Sequence, residues 1–476
     1  MNAMWIKITG VLTNSEYFKR LFLLNSLFFS FFFFDNNPWI STITSTIFAV
    51  WAAVILLVKL ATRQIDLRRK HLWVLGLFVA VYIVSMLLNF RTELFGNVKT
   101  LINTGIVFLL VYYFDAPDQR QNERNLRILF GIISAYSFVM SLITMVFYFC
   151  NITLTVYAQR YCGIYSSPIM SGLVACVSIM VSVCFLLRWK TLRTRRRIFH
   201  IVQLLLQNAV LLIAGSRSPE ICLLVFLCML AALLLLNVHR LHLLVRLGLV
   251  LVSVCVIVAG GILDARITRT SLYELNVWMF SLREHPTHHT PTGVPDGSDA
   301  EDLPGQTDSP LLSIEPYPLD RTNEGASDNV RWNLITTGFE AFLRRPLFGV
   351  SPRNIHNVVA EIAEAENRNV VGIHTGGLHN SYLEILAGLG IAGMAVTVLF
   401  AVLFLRKIFK ILSRIWKDRP AYIQWAGLLS LIIACMASFL FESTMVFTIS
   451  LMAVFFWSLM GYLSAFAGHI AEHDLP

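Results

Sequence analysis

Three short stretches join a basic residue to the start of a helix, which is the arrangement that grips an anion. In Gly215-Ser-Arg-Ser-Pro219, Pro219 suits the first helical position and Ser218 the N-cap, with Ser216 just ahead. Arg217 then sits at a helix's positive end, where free backbone N–H groups and a guanidinium bind phosphate together. In Arg160-Tyr-Cys-Gly-Ile-Tyr-Ser-Ser-Pro168, Ser167 and Pro168 read the same way, and Gly163 allows a bend that folds Arg160 back over the helix end. In Gly376-Gly-Leu-His379-Asn-Ser381-Tyr-Leu-Glu384, Ser381 and Glu384 have capping-box spacing. That box would hold His379, a side chain that can take a proton near neutral pH, on a defined element. The bland readings are a snorkelling Arg217, an ordinary loop arginine at 160 and a structural His379. Taken together the three stretches predict a pocket for a phosphate or pyrophosphate, with Arg331 as a further contact from above.

The elements that must position these residues are membrane helices. Of 476 residues, 56% are hydrophobic and only 14% charged, and mean hydropathy is +0.66. Soluble chains are about a quarter charged, so a water-soluble enzyme is excluded, as are disorder and a disulfide-stapled scaffold. The net charge of +9 does not point to nucleic acid, because Lys and Arg cluster between apolar runs. Six of the eight Cys lie inside such runs; only Cys150 and Cys162 flank a predicted outer loop, where a disulfide is an option.

A helix needs about 20 apolar residues to span a bilayer, and about twelve stretches qualify. They are 18–34, 38–59, 72–90, 98–114, 128–150, 168–187, 198–214, 219–238, 243–262, 382–405, 422–441 and 445–466. The first follows Lys19 and Arg20 but lacks a small-residue cleavage site, so it reads as an uncleaved span. With the N-terminus inside, 25 of the 38 Lys and Arg fall in inner segments, and nine of the rest lie in one long loop. The positive-inside rule therefore places both termini in the cytoplasm and that loop outside. The chain divides into spans one to nine over 1–263, the large extracytoplasmic loop over 264–381, and spans ten to twelve with a short tail over 382–476. The expected fold is an all-α polytopic membrane protein whose large loop carries short amphipathic helices.

That loop is acidic, with 16 Asp or Glu against nine Arg. Residues 286–327 are too rich in Pro, Gly, Asp, Ser and Thr to bury a core, and read as disordered. From Asn329, Ile335, Phe339, Phe342 and Leu343 fall at helical spacing, which predicts an amphipathic helix that Pro346 ends. His356–Asn367 predicts a second. His285, His288 and His289 border the polar stretch and make a poor metal site, and the acidic run 296–302 reads as solvated linker. No nucleotide phosphate loop, dinucleotide fingerprint or zinc-protease helix occurs, and Ser216 is not in a nucleophile elbow. No metal and no cofactor is expected.

Asn329-Val-Arg-Trp332, Phe342-Leu-Arg-Arg-Pro-Leu-Phe-Gly-Val350 and His379-Asn-Ser-Tyr-Leu-Glu-Ile-Leu-Ala-Gly-Leu-Gly-Ile-Ala-Gly393 follow one another around the large loop. This order resembles the bacterial O-antigen ligase and O-antigen polymerase superfamily: an arginine-bearing amphipathic stretch, a P-L-F-G-V-G turn, and H-N-x-Y-L leading into a Gly-rich span. Gly215-Ser-Arg-Ser218 is similar to the family's arginine turn, and Arg160 to Gly172 to its R-x-x-G segment. The likeness covers about 160–395, and the chain departs from it at Ser351, where the family has Gly.

The resemblance implies a helical GT-C-type fold in the bacterial inner membrane and a reaction on its outer face. A glycan would pass from undecaprenyl pyrophosphate to an acceptor, either another lipid-linked glycan or lipid A-core, without metal and with inversion. Arg160 and Arg217 would hold the pyrophosphate, Arg331 would add a phosphate or glycan contact, and His379 would be the base on the acceptor hydroxyl. Ser216, Ser218, Ser381 and Glu384 would support them. The implied partners are the lipid-linked donor, the acceptor, the bilayer and other polysaccharide-assembly membrane proteins, with no nucleic acid. Three rivals stand beside this: a flippase for lipid-linked oligosaccharide, a GT-C enzyme on a lipid monophosphate sugar with the carboxylate Asp35 as its base, and a non-catalytic scaffold. Spans nearly free of charge and unlike halves weigh against the flippase.

Overall fold

The structure, a computed structural model, describes residues 13–116, 118–154, 156–157, 160–238, 242–281, 311–312, 324–370 and 377–473. The described residues are mostly helical. Helices α1 (Ser15–Phe28), α2 (Phe32–Asp35), α3 (Pro38–Ala61), α4 (Leu72–Leu88) and α5 (Leu94–Ile106, continued by a π-helical stretch Val107–Tyr113) lead to the 31-residue α6 (Gln119–Phe149). Then come α7 (Pro168–Leu186), α8 (Thr194–Ala214), α9 (Arg217–Leu236) and α10 (Leu243–Ser281). Two loop helices follow, α11 (Glu324–Arg344) and α12 (Ile355–Ala365), before α13 (Ser381–Arg414), α14 (Arg419–Ser438) and α15 (Leu451–His473).

Local chemistry sets several of these starts. Asn37 caps α3 by accepting from the Trp39 and Ile40 amides, with Pro38 in the first turn. Asp118 and Asp418 cap α6 and α14 in the same way. Among the described residues, ten helices are long and apolar enough to cross a membrane. The outward faces of α3 and α10 are apolar and left uncovered, as lipid-facing helices require. This is a polytopic all-α membrane protein.

The expected first span, 18–34, divides into α1 and the single turn α2, and α1 reaches only about 21 Å. The expected twelfth, 445–466, begins at Leu451, because Glu442–Ser450 forms an irregular segment. Helix α10 does not stop near 262 but runs to Ser281, about 58 Å in all, so it extends well past a hydrocarbon core of about 30 Å.

The amphipathic helix predicted from Asn329 is α11, and it ends before Pro346 as expected. Its buried face is Leu334, Thr337, Ala341 and Phe342, packed on Leu378 and Leu383. Ile335, Phe339 and Leu343, read as part of the inward stripe, point outward beside Trp332. The turn Pro346–Ser351 lies along a break in α13. Ile391 and Ala392 donate to the Pro346 and Leu347 carbonyls, while Val350 and Ser351 donate to those of Ala387 and Gly388. Gly349 and Gly390 both have positive φ, and a Cβ on either would collide with the other strand's backbone. The two motifs that carry the resemblance are thus joined backbone to backbone.

Candidate functional site

Two of the three basic turns pack against each other. Arg160 lies in a two-residue antiparallel pairing of Val156–Tyr157 with Arg160–Tyr161, opposite Tyr157. Gly163 takes φ +63, the bend its position predicted, close against Thr144. Ser167 caps α7 by accepting from Met170 N at 3.2 Å, with Pro168 in the first turn. One turn further on, Gly172 touches Pro219 and Ser216, and a Cβ there would lie 2.8 Å from Pro219 Cγ. Tyr161, next to Arg160, shares a buried cluster with Tyr148 and with Ile213, two residues before Gly215. Arg160 and Arg217 therefore stand on adjoining turns at one end of the bundle.

The cap of α9 lies two residues earlier than predicted. Gly215 closes α8 with φ +56, Ser216 is the N-cap, and Arg217 is the first helical residue. Ser218 is not the cap: it is 2% exposed inside the first turn, with its Oγ unpartnered among the described residues. The reason is that Gly215 takes the left-handed turn, so helical geometry starts immediately after Ser216. Arg217 itself is exposed. A further arginine joins this turn from α10: Arg269 donates through Nε to the Leu212 carbonyl and lies 2.5 Å from Glu220 Oε1. Sequence reasoning misses it because the apolar run ends near 262, ahead of Arg269.

His379 is on the same end. Helices α9 and α14 run antiparallel, with Cys222 Sγ donating to Ala434 O at 3.2 Å and Tyr422 Oη donating to Leu233 O at 2.9 Å. The start of α9 thus lies level with the end of α14. There Ser381 N donates to Phe439 O at 2.9 Å, which seats the start of α13 against the last turn of α14.

The cap of α13 is Asn380, which accepts from the Tyr382 and Leu383 amides, both at 3.0 Å. Ser381 is not the N-cap of a capping box. Its Oγ donates to Glu442 O at 2.6 Å and accepts from the Thr444 and Met445 amides, because the chain beyond α14 folds back over it. Glu384 accepts from Leu378 N at 3.3 Å and not from a cap residue. Both residues still fix the helix start, by different bonds. His379 has φ +51, an uncommon setting for a residue with a side chain.

The residue that sequence reasoning missed is Glu442. It is 5% exposed, and its Oε2 lies 3.8 Å from His379 Nδ1. Glu442 Oε1, Ser443 Oγ, Thr444 Oγ1 and His379 Nδ1 are buried without a hydrogen-bond partner among the described residues. A search for cations at helix starts passes over an acid. The available signal was a carboxylate alone in the short turn between two apolar runs.

Asp35 is tied to the same region, since Phe32 N donates to Ile164 O and Ser166 N to Ser30 O, both at 3.1 Å. Arg331 is half-buried on the early part of α11 and makes no hydrogen bond or ion pair to His379 among the described residues. Cys150 and Cys162 are not joined to each other by a disulfide. His285, His288 and His289 lie outside the described residues, and among those described no three His, Cys, Asp or Glu gather as metal ligands would.

Residues 201–398 match the family model Wzy_C, O-antigen ligase. No curated protein matches the chain. The matched segment runs from α8 into α13, so it holds Arg217, Arg331, the joined Pro346 and Gly390 motifs, and His379. Over that segment this multi-pass helical chain is similar to the O-antigen ligase family, a match that supports the resemblance to the O-antigen ligase and polymerase superfamily.

Proposed function

We propose that this protein is a metal-independent, inverting glycosyltransferase of O-antigen ligase or polymerase type with a GT-C-like helical fold. It takes a glycan from undecaprenyl pyrophosphate and joins it to an acceptor hydroxyl at the outer face of the inner membrane, both termini lying in the cytoplasm. The acceptor is a second lipid-linked glycan or lipid A-core. The observation that carries this reading is the placement of His379, 3.8 Å from a buried carboxylate, at the bundle end that holds the adjoining Arg160 and Arg217 turns.

In this mechanism the acceptor hydroxyl gives its proton to His379 Nε2 as its oxygen attacks the anomeric carbon from the side opposite the pyrophosphate. The anomeric C–O bond breaks, and its electron pair leaves on the phosphate oxygen of undecaprenyl pyrophosphate. Arg217, Arg160 and the first amides of α9 stabilise the charge that grows there. Glu442 faces Nδ1, so it orients the ring and stabilises the imidazolium formed at Nε2. Arginines take the part a metal plays in other transferases, and Arg331 adds a glycan or phosphate contact.

Reconstitution of the purified chain in vesicles with undecaprenyl-pyrophosphate glycan and candidate acceptors, with and without chelator, tests this. The expected result is a lengthened or transferred glycan and one equivalent of free undecaprenyl pyrophosphate, unchanged by chelator. Translocation of the donor without consumption would instead establish the flippase reading.

A further inference from the structure

We propose that the bundle carries a second anion site, specific for a phosphate group, at the end opposite His379. The feature is a cavity of about 470 Å³ bordered by the start of α1, the end of α3 and the first turns of α6. Gln121, Arg124 and Asn125 open α6, whereas Tyr148, at its other end, packs beside Tyr161 and the Arg160 hairpin. The two ends of this helix lie about 45 Å apart. The cavity is therefore separate from the glycan site, and the proposal does not depend on that reading.

Both carboxylates on its wall are matched by cations. Glu16 receives Lys19 Nζ at 2.9 Å and the Tyr462 hydroxyl at 2.6 Å. Asp115 is paired with Arg69 and, at 3.2 Å, with Lys70. Arg20, Lys59 and Arg124 remain, and none of them has a carboxylate within ion-pair distance among the described residues. Lys59 Nζ donates to Gln64 Oε1 at 2.6 Å and Arg20 Nη2 to Asn125 Oδ1 at 2.6 Å, so their nearest partners are neutral.

The donors exceed the acceptors as well. Asn125 is fully buried, and among the described residues its Nδ2 has no acceptor; Arg20 Nε is likewise buried and unpartnered among them. The amide's orientation is fixed, because Arg20 can only donate and must face the Asn125 oxygen. Buried N–H groups without acceptors are costly, and three unmatched cations beside them repel one another. A group with negative charge and several acceptor oxygens relieves both, and phosphate offers them in compact form. The same chemistry is available from the headgroup of an anionic phospholipid and from a soluble phosphate ester.

The test uses the full chain in nanodiscs at constant ionic strength. Thermal melting is followed while either phosphatidylglycerol replaces phosphatidylcholine or glycerol phosphate is added to the buffer. The expected result is a rise in melting temperature with at least one probe, with half-saturation moved about tenfold higher in Arg124→Gln. Arg20→Gln should act in the same direction, and the exposed Arg124→Gln carries the test should Arg20→Gln unfold. A response to phosphatidylglycerol alone assigns a lipid headgroup, and one to glycerol phosphate assigns a soluble ester. No response to either probe, or an equal response in Arg124→Gln, overturns the proposal. Arg217→Gln should keep the response, which separates this outcome from any failure of the glycan-transfer reading.

Discussion

His379 Nδ1 faces Glu442 Oε2 across 3.8 Å, the two side chains being brought together by Ser381, which bonds to the Glu442 carbonyl and to the amides that follow it. The gap is too long for a hydrogen bond and short enough to close when the ring takes a proton. In the proposed reaction Glu442 would act through His379 and not on the substrate.

Glu442→Gln should lower kcat roughly 10²-fold, with KM little changed, because it removes charge stabilisation that matters only once the imidazolium forms. Glu442→Asp should recover part of the loss. A purely structural role would lower the amount of folded protein and leave kcat per folded molecule intact, so melting of each variant is measured beside the kinetics.

At the start of α9, Arg217 stands beside Glu220, and Glu220 is held by Arg269 from α10. Arg217→Lys keeps the charge but loses the planar fork, and should cost about tenfold in kcat/KM; Arg217→Gln should cost about 10²-fold or more. Arg269→Gln should raise KM for the lipid donor and affect kcat less, since it releases Glu220 and the Leu212 carbonyl without touching the reacting atoms. Kinetics with varied donor concentration separate the three.

Apolar run length made the helical bundle legible, and cap chemistry made the start of α7 legible to the residue, at Ser167 and Pro168. The Gly163 bend was legible for the same reason: only local geometry was needed. The start of α9 was displaced because Gly215 takes the left-handed turn, and the cap of α13 because what Ser381 bonds to is set by chain from beyond α14, more than fifty residues away. Glu442, despite its signal as a lone carboxylate between apolar runs, and Arg269 were missed for a related cause. Each becomes part of the site only through packing of distant helices, which no spacing in the sequence encodes.

Ser351 is the one departure from the family's turn, and it bears a visible cost. Its φ is +70 with ψ 146, a region in which glycine is at ease, and its buried Oγ has no partner among the described residues. Ser351→Gly should stabilise the protein by about 1 kcal/mol, the relief of strain being partly offset by glycine's larger unfolded-state entropy. Thermal or denaturant melting in one detergent checks the direction. An unchanged or lower midpoint would mean that the Ser side chain contributes packing that outweighs the strain.

Asp35 lies beside Ser166, close to the Arg160 turn, and so is the carboxylate on which an acid-dependent mechanism would have to rely. Desolvation raises its carboxyl above the ordinary value, and a hydrogen bond with Ser166 offsets this in part. A raised pKa means the folded protein binds this proton more tightly than the unfolded chain does. Stability from this group is therefore greatest at pH below the ordinary carboxylate range, falls as pH rises toward the folded pKa, and is at its lowest near neutrality. Asp35→Asn removes the ionisable group, so it should raise the melting temperature slightly at neutral pH and lose that advantage in acid. Under the His379 reading, glycan transfer by Asp35→Asn stays within about twofold of the parent, a margin small against the loss of a general base. A fall of several orders in transfer, with melting intact, would move the catalytic role from His379 to Asp35.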